Sequence, residues 1–292
     1  MDILLILLLG FLQGVFGFLP MSLEGIQAVF GRLFSIGDTG LLYCVFFHIG
    51  TSILLFIYIK SDLLRMPGEL ALTLSSSFSN LRGLLRARLR QETFELRKVF
   101  ETNHQSFSAM AALALAVALP IALVLRPLAV RGFGSPLYAG IGFLIMTVVF
   151  LVGGKLKIRS RLPGNTKVWY GAIAGVLLAA GIFPGISVLG VLFVFGTIIG
   201  FNRKTAQRFS ALCYLLATPG ALLTVLLSGT AGPLGFREIL LAFLGLAVTI
   251  LAGTYFSNWA LHRAKMVKAR HMAVLSVLLG TAAILAGFAF HG

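Results

Sequence analysis

The chain has 292 residues, of which 58% are hydrophobic and 11% charged, and its mean hydropathy is +0.98. So few charges cannot cover the surface of a soluble domain of this size, which excludes a water-soluble globular protein. The net charge of +15 would point to nucleic acid in a soluble chain. Here the basic residues fall in loops between apolar runs, as the positive-inside rule expects, so no nucleic-acid partner is expected.

The first apolar run, Ile3 to Leu19, follows Asp2 rather than a basic stretch and lacks a small-residue cleavage pattern. It is therefore read as structure and not as a signal peptide. The apolar region continues to about residue 34 through an interruption, Phe18-Leu19-Pro20-Met21-Ser22, with Gly25 behind it. Spans long enough to cross a bilayer follow at 41–60, 106–126 and 135–155. Segment 168–199 is again apolar but broken, at Phe183-Pro184-Gly185-Ile186-Ser187, with Gly190 behind it. Three more spans are predicted at 209–228, 237–258 and 271–291. Between the first two spans, Leu81, Leu84, Leu85 and Leu89 recur at helical spacing among Arg82, Arg86, Arg88 and Arg90. Segment 61–105 thus reads as a basic amphipathic insertion on anionic lipids of the inner leaflet, or more simply as an orientation signal. Cys44 and Cys213 lie in apolar runs without metal-type spacing and define no redox compartment.

Loop charge decides how the two broken runs are threaded. Basic clusters occur at Lys60–Lys98, at Lys155, Lys157, Arg159, Arg161 and Lys167, at Arg203, Lys204 and Arg208, and at Arg263, Lys265, Lys268 and Arg270. All fall on one side, the cytoplasmic one, only if 168–199 dips into the membrane and returns. The same counting places Asp38 outside and, with 1–34 as a second hairpin, puts both termini outside. The expected architecture is all-α: six transmembrane helices plus two oppositely oriented re-entrant helical hairpins in an inverted-topology repeat. Repeat one covers about 1–155, with the insertion 61–105, and repeat two about 168–292, within one membrane domain. Such repeats place a site near the midplane, at the broken helices.

At these breaks the chain resembles the undecaprenyl pyrophosphate phosphatase (bacitracin-resistance) family. The family's first motif is Glu-Gly-x-x-Glu-Phe-Leu-Pro-x-Ser-Ser-x-Gly-His; this chain has Gln13-Gly14-Val15-Phe16-Gly17-Phe18-Leu19-Pro20-Met21-Ser22-Leu23-Glu24-Gly25-Ile26. The second is Pro-Gly-x-Ser-Arg-Ser-Gly-x-Thr; here it reads Pro184-Gly185-Ile186-Ser187-Val188-Leu189-Gly190-Val191-Leu192. His48-Ile49-Gly50-Thr51 and the stretch from Arg203 to Pro219 are also similar to family segments. The resemblance implies two re-entrant hairpins and six spans, a bacterial plasma membrane location, and a polyprenyl phosphate or pyrophosphate lipid as partner.

The departures fall on the reactive groups. The family's two acids are Gln13 and Gly17, its second Ser is Leu23, its His is Ile26, and its Arg is Val188. Phosphate-ester cleavage needs a nucleophile, a base and positive charge on the phosphoryl oxygens together. What remains shapes the backbone: Gly14, Pro20, Gly25, Pro184, Gly185 and Gly190. Gln13, Ser22, Glu24 and Ser187 are the candidate contacts to a lipid phosphate. For Gln13 the alternative is a helix–helix hydrogen bond; for the serines it is capping of the broken helices. Glu24 reads as a base, a cation ligand or a proton site, against a carboxylate solvated at the interface. His48 reads as a packing histidine against a catalytic one, and Arg32 as an interfacial arginine against an attractor of anionic head groups. The leading expectation is a lipid-carrier binder and translocator with little family-type hydrolysis. The alternatives are an active undecaprenyl-diphosphatase with a rebuilt site, which alone would call for Mg or Ca, and a transporter of another small solute. No cofactor is otherwise evident, and a homodimer is the oligomer considered.

Overall fold

The computed structural model describes residues 3–17, 20–33, 39–132, 135–157, 160–227, 235–262 and 269–289. Arg32, Phe18, Leu19 and the basic residues Arg159, Arg263, Lys265 and Lys268 fall outside what is described for side chains. The described residues form an all-α membrane protein of ten α-helices: α1 Ile3–Phe16, α2 Leu23–Leu33, α3 Thr39–Arg90, α4 Asn103–Gly132, α5 Pro136–Lys155, α6 Tyr170–Ala180, α7 Val188–Ile198, α8 Arg203–Leu227, α9 Phe236–His262 and α10 Ala269–Ala289. Of these, α3, α4, α5, α9 and α10 are long and apolar enough to cross a membrane. Their outward faces carry Leu123, Val124, Val148, Leu251, Leu278 and Phe288, an apolar exterior that only lipid can cover.

Both broken runs are pairs of short helices. The helices after the breaks, α2 and α7, are each 11 residues long. Helix α1 packs on α9 and α6 packs on α4. In both cases two glycines four apart let the backbones touch. A Cβ on Gly10 would lie 2.7 Å from the Gly245 oxygen, and one on Gly14 2.6 Å from that of Thr249. On α6 the corresponding distances are 2.5 Å from Gly171 to the Met110 oxygen and 2.6 Å from Gly175 to that of Ala114. Small residues of this kind draw helices together where no hydrophobic effect between them is available. The register advances in the same direction on both partners, so each pair runs parallel.

Two other pairs run antiparallel. Helix α5 packs along α10, with Gly287 against Leu137 and Gly140 against Gly280. The Ser276 hydroxyl donates to the Phe143 carbonyl at 2.7 Å within this contact. Helix α3 meets α8 through Tyr58, which donates to Gln207 at 3.4 Å, and through a bidentate ion pair. There Arg208 donates from Nε to Asp62 Oδ2 at 2.6 Å and from Nη2 to Oδ1 at 2.7 Å. The main core collects Met110, Phe143, Met146, Phe150, Leu192, Phe201, Phe209 and Leu212, and a smaller one groups Ile6, Leu9, Tyr43 and Phe47. At the start of the α6–α7 segment, the Arg161 N–H donates to the carbonyl of Gly200, just past its end, at 2.9 Å.

The span expected at 41–60 and the insertion expected after it are one helix of 52 residues, kinked at Ile59 (φ −116°, ψ 16°). Beyond the kink, Met66, Thr73, Asn80 and Ala87 are buried, which makes a stripe at heptad spacing. The returning segment lies along it: Asn80 donates to the Arg97 carbonyl at 2.8 Å and accepts the Arg97 N–H at 3.0 Å. On the opposite face Phe78, Leu81, Leu85 and Leu89 are exposed beside Arg82 and Arg86.

Candidate functional site

The two breaks meet. After Pro20, Met21 and Ser22 lead into α2; after Pro184, the chain turns at Gly185 into Ile186, Ser187 and α7. Gly185 has φ +89°, in the left-handed region that glycine enters without strain. A Cβ on Gly25 would lie 2.8 Å from the Gly185 Cα, and one on Gly190 2.9 Å from the Pro20 oxygen. Each break therefore fits against the glycine opening the helix of the other.

A serine caps each short helix. Ser22 Oγ accepts the Gly25 N–H at 3.3 Å, and Ser187 Oγ accepts the Gly190 N–H at 3.2 Å. Ser22 does more: its oxygen also accepts the Gly185 N–H at 3.0 Å, and its proton goes to Glu24 Oε2 at 3.0 Å. A hydroxyl has one proton and two lone pairs, so Ser22 is saturated. Ser187 has one further acceptor position and its proton to offer.

A cavity opens at this junction, lined among others by Ser22, Glu24, His48, Ser187, Val188 and Tyr214. Glu24 Oε1 lies 3.1 Å from His48 Nε2, and His48 Nδ1 lies 2.6 Å from the Tyr214 hydroxyl. Ser22, Glu24, His48 and Tyr214 thus form one hydrogen-bonded chain across α2, α3 and α8. The Glu24 side chain keeps 28% of its surface and His48 15%, so both remain open to the cavity. The N-termini of α2 and α7 point into the same space. Their first-turn N–H groups have no intrahelical partner and carry partial positive charge, which makes them anion donors.

Of the expected phosphate contacts, Ser22, Glu24 and Ser187 come together here. Gln13 stands apart, fully buried, with its Nε2 donating to Thr51 at 2.8 Å and its Oε1 unpartnered. That is a helix–helix bond between α1 and α3. Gly14 belongs to the α1–α9 contact rather than to the cavity. His48 turned out to be central, and Tyr214 was missed altogether. Its signal was weak, since one tyrosine in an apolar helix differs little from a packing residue.

A sequence profile described as "Bacitracin resistance protein BacA" matches residues 6–282. The chain belongs to the BacA family. Among curated relatives, the undecaprenyl-diphosphatase of Christiangramia forsetii is 26% identical over 294 residues, 99% of this chain and 100% of its own. That of Rubrobacter xylanophilus is 28% identical over 254 residues, covering 84% and 80%. That of Alkaliphilus metalliredigens is 23% identical over 283 residues, covering 96% of each. Against this membership the cavity holds, among the described lining residues, no Lys or Arg; Val188 occupies the place of the second-motif arginine. The lining also makes a poor divalent-cation site. Glu24 is its one carboxylate, bonded at both oxygens, and no cluster of three or more His, Cys, Asp or Glu occurs among the described residues.

Proposed function

We propose that this BacA-family protein holds the phosphate of a polyprenyl phosphate or pyrophosphate carrier, such as undecaprenyl phosphate, where the two helix breaks meet. It moves that lipid between leaflets with little or no family-type hydrolysis. The observation that carries this reading is the saturated state of Ser22 beside an available Ser187. A nucleophile needs a free lone pair, and Ser22 has both of its lone pairs engaged by N–H donors. Ser187 and the first amides of α2 and α7 supply what binding an anion needs. With no guanidinium or ammonium among the described residues of the cavity wall, the charge of a phosphoryl transition state has no matching cation there.

The translocation part of the reading draws support from helix pairing. If residues 1–155 and 168–292 are inverted repeats, α3 corresponds to α8 and α5 to α10, and corresponding helices must run antiparallel. Both pairs do. The correspondence also sends the α1–α9 contact onto α6–α4, and both exist and run parallel. The bond from Arg161 to Gly200 joins the residues flanking 168–199, which supports reading that segment as a re-entrant hairpin. The location that goes with this is the bacterial plasma membrane with both termini outside.

The test combines two assays on purified protein. Phosphate release from undecaprenyl pyrophosphate is measured with and without Mg or Ca, and saturable binding is measured with the monophosphate lipid. The expected result is binding without release, weakened at least tenfold by Ser187→Ala. A second reading, an active diphosphatase with a rebuilt site, rests on the bond from Ser22 to Glu24. Robust release lost in Glu24→Gln would establish it instead. Binding of neither lipid would leave a transporter of another small solute.

The exposed stripe on the cytoplasmic part of α3 lies on the anionic inner leaflet. Phe78, Leu81, Leu85 and Leu89 enter the lipid while Arg82, Arg86, Arg88 and Arg90 meet its head groups. Hydrogen exchange of 78–90 in nanodiscs is expected to slow with anionic lipid and not with zwitterionic lipid alone. Equal exchange in both removes this assignment.

A further inference from the structure

We propose that the Glu24–His48 pair is a proton site, and that loading a lipid phosphate into the cavity takes up a proton there. This rests on the phosphate-binding reading above and names its coupling ion.

The starting point is where the carboxylate sits. Glu24 lies in the first turn of α2, bonded to Ser22 and His48, at the point on which the N-termini of α2 and α7 converge. An internal anion thus occupies the most favourable position for an external one. A phosphate arriving there brings a second negative charge beside Glu24 in a low-dielectric site, where like charges repel strongly. Some positive charge must come with it.

Among the described side chains, none supplies that charge. Arg208 on α8 is held by Asp62. Helix α1 carries no ionisable residue. Helix α5 has only Tyr138 before Lys155, and α10 has Arg270 and His271 in its first turn. Helix α9 carries Arg237 and Glu238 at its start, His262 at its end and Tyr255 between, while α4 has His104, Arg126 and Arg131. The ionisable groups facing the pair are Tyr214 and, one turn from His48 on α3, Cys44. Tyr214 and Cys44 become anions when they ionise, so neither offers a cation. The remaining compensation is a proton on the pair itself.

The geometry can accept it without breaking. Both ring nitrogens of His48 are engaged, Nε2 with Glu24 and Nδ1 with the Tyr214 hydroxyl. That hydroxyl can donate to the imidazole or accept from it, so the row tolerates the added proton on His48 or on Glu24. A neutral Glu24 no longer repels the phosphate and can donate to it. Protonation also weakens the pull of Glu24 on the Ser22 hydroxyl. Among the described residues, Ser22 is the side chain that hydrogen-bonds across both breaks. The proton is thereby linked to the contact between the two breaks.

The experiment is calorimetric binding of farnesyl monophosphate to the full-length protein in detergent at pH 8. Two buffers of different ionisation enthalpy give the number of protons taken up. The expected result is uptake near one proton per lipid in the wild type, and affinity falling up to tenfold per pH unit between pH 7 and 9. Glu24→Gln is expected to bind with uptake lower by about one and a nearly flat pH profile, whereas Glu24→Asp retains the uptake. Should Glu24→Gln fail to fold, His48→Gln gives the contrast: Glu24, without its counter-charge, is already protonated before the lipid arrives, and uptake is lost. Binding with equal proton uptake in wild type and variant overturns the proton site alone. Absence of saturable binding in the wild type overturns the phosphate-binding reading and this inference with it.

Discussion

Ser22 Oγ accepts the backbone N–H of Gly185 at 3.0 Å, joining two helix breaks that lie 163 positions apart. The bond is buried, and the same oxygen caps α2 through Gly25. Ser22→Ala strands both N–H groups away from water. Leaving one such group unpaired costs about 1–3 kcal/mol. A clear fall in the detergent unfolding midpoint is expected, larger than for Ser187→Ala, which removes only a helix cap worth roughly 1 kcal/mol. Equal midpoints for the two variants would show that the bridge adds nothing to stability.

The glycines at the junction are sterically locked. An alanine at position 25 would place its Cβ 2.7 Å from Phe143 Cζ and 2.8 Å from the Gly185 Cα. Overpacking of this kind costs about 1–3 kcal/mol. Gly185→Ala adds the strain of a left-handed φ, roughly 1–2 kcal/mol. Size-exclusion yield of folded protein should drop for both. Gly68→Ala is the control, because a Cβ there meets nothing within 4 Å.

The clip between α3 and α8 gives a third test. Asp62 is 6% exposed and takes both donors of Arg208, whose side chain is about a third exposed. Removing one partner of a fully buried pair costs about 3–5 kcal/mol; solvent reaching Arg208 lowers that to roughly 2 kcal/mol. Asp62→Asn should therefore lower the unfolding midpoint, and the loss should shrink in high salt. A salt-independent loss would assign the effect to packing.

Tyr214 is expected to act through His48. In a double-mutant cycle of Tyr214→Phe with His48→Gln, the two stability losses should couple by roughly 0.5–3 kcal/mol. Simple additivity would mean that the 2.6 Å contact carries no energy of its own.

Both helix breaks were legible because a proline followed within a few residues by glycine interrupts an apolar run, as Pro20 with Gly25 and Pro184 with Gly185 do. The serines three residues before Gly25 and Gly190 were legible as caps for the same local reason. The helical character of 81–90 was legible in its leucine spacing, but its continuity with the span at 41–60 was not, since the Pro67-Gly68 pair lies between them. Nor was the link from Glu24 to His48 and on to Tyr214. His48 and Tyr214 are 166 positions apart, and their meeting depends on how α3 crosses α8. One signal was available: a lone carboxylate in an apolar hairpin needs a partner, and His48 is the basic residue between Arg32 and Lys60.

The junction around Gly25, Gly142, Gly185 and Gly190 is made of bare backbone pressed against backbone and aromatic rings. At residues 23, 26 and 188, where this chain departs from the family motifs, apolar side chains pack around that backbone frame, Leu23 and Ile26 in the core and Val188 at the cavity wall. A scaffold assembled this way separates architecture from chemistry. Selection can rewrite the reactive positions one at a time without unmaking the chamber they face, so a new ligand or a new duty can be acquired inside an old enclosure.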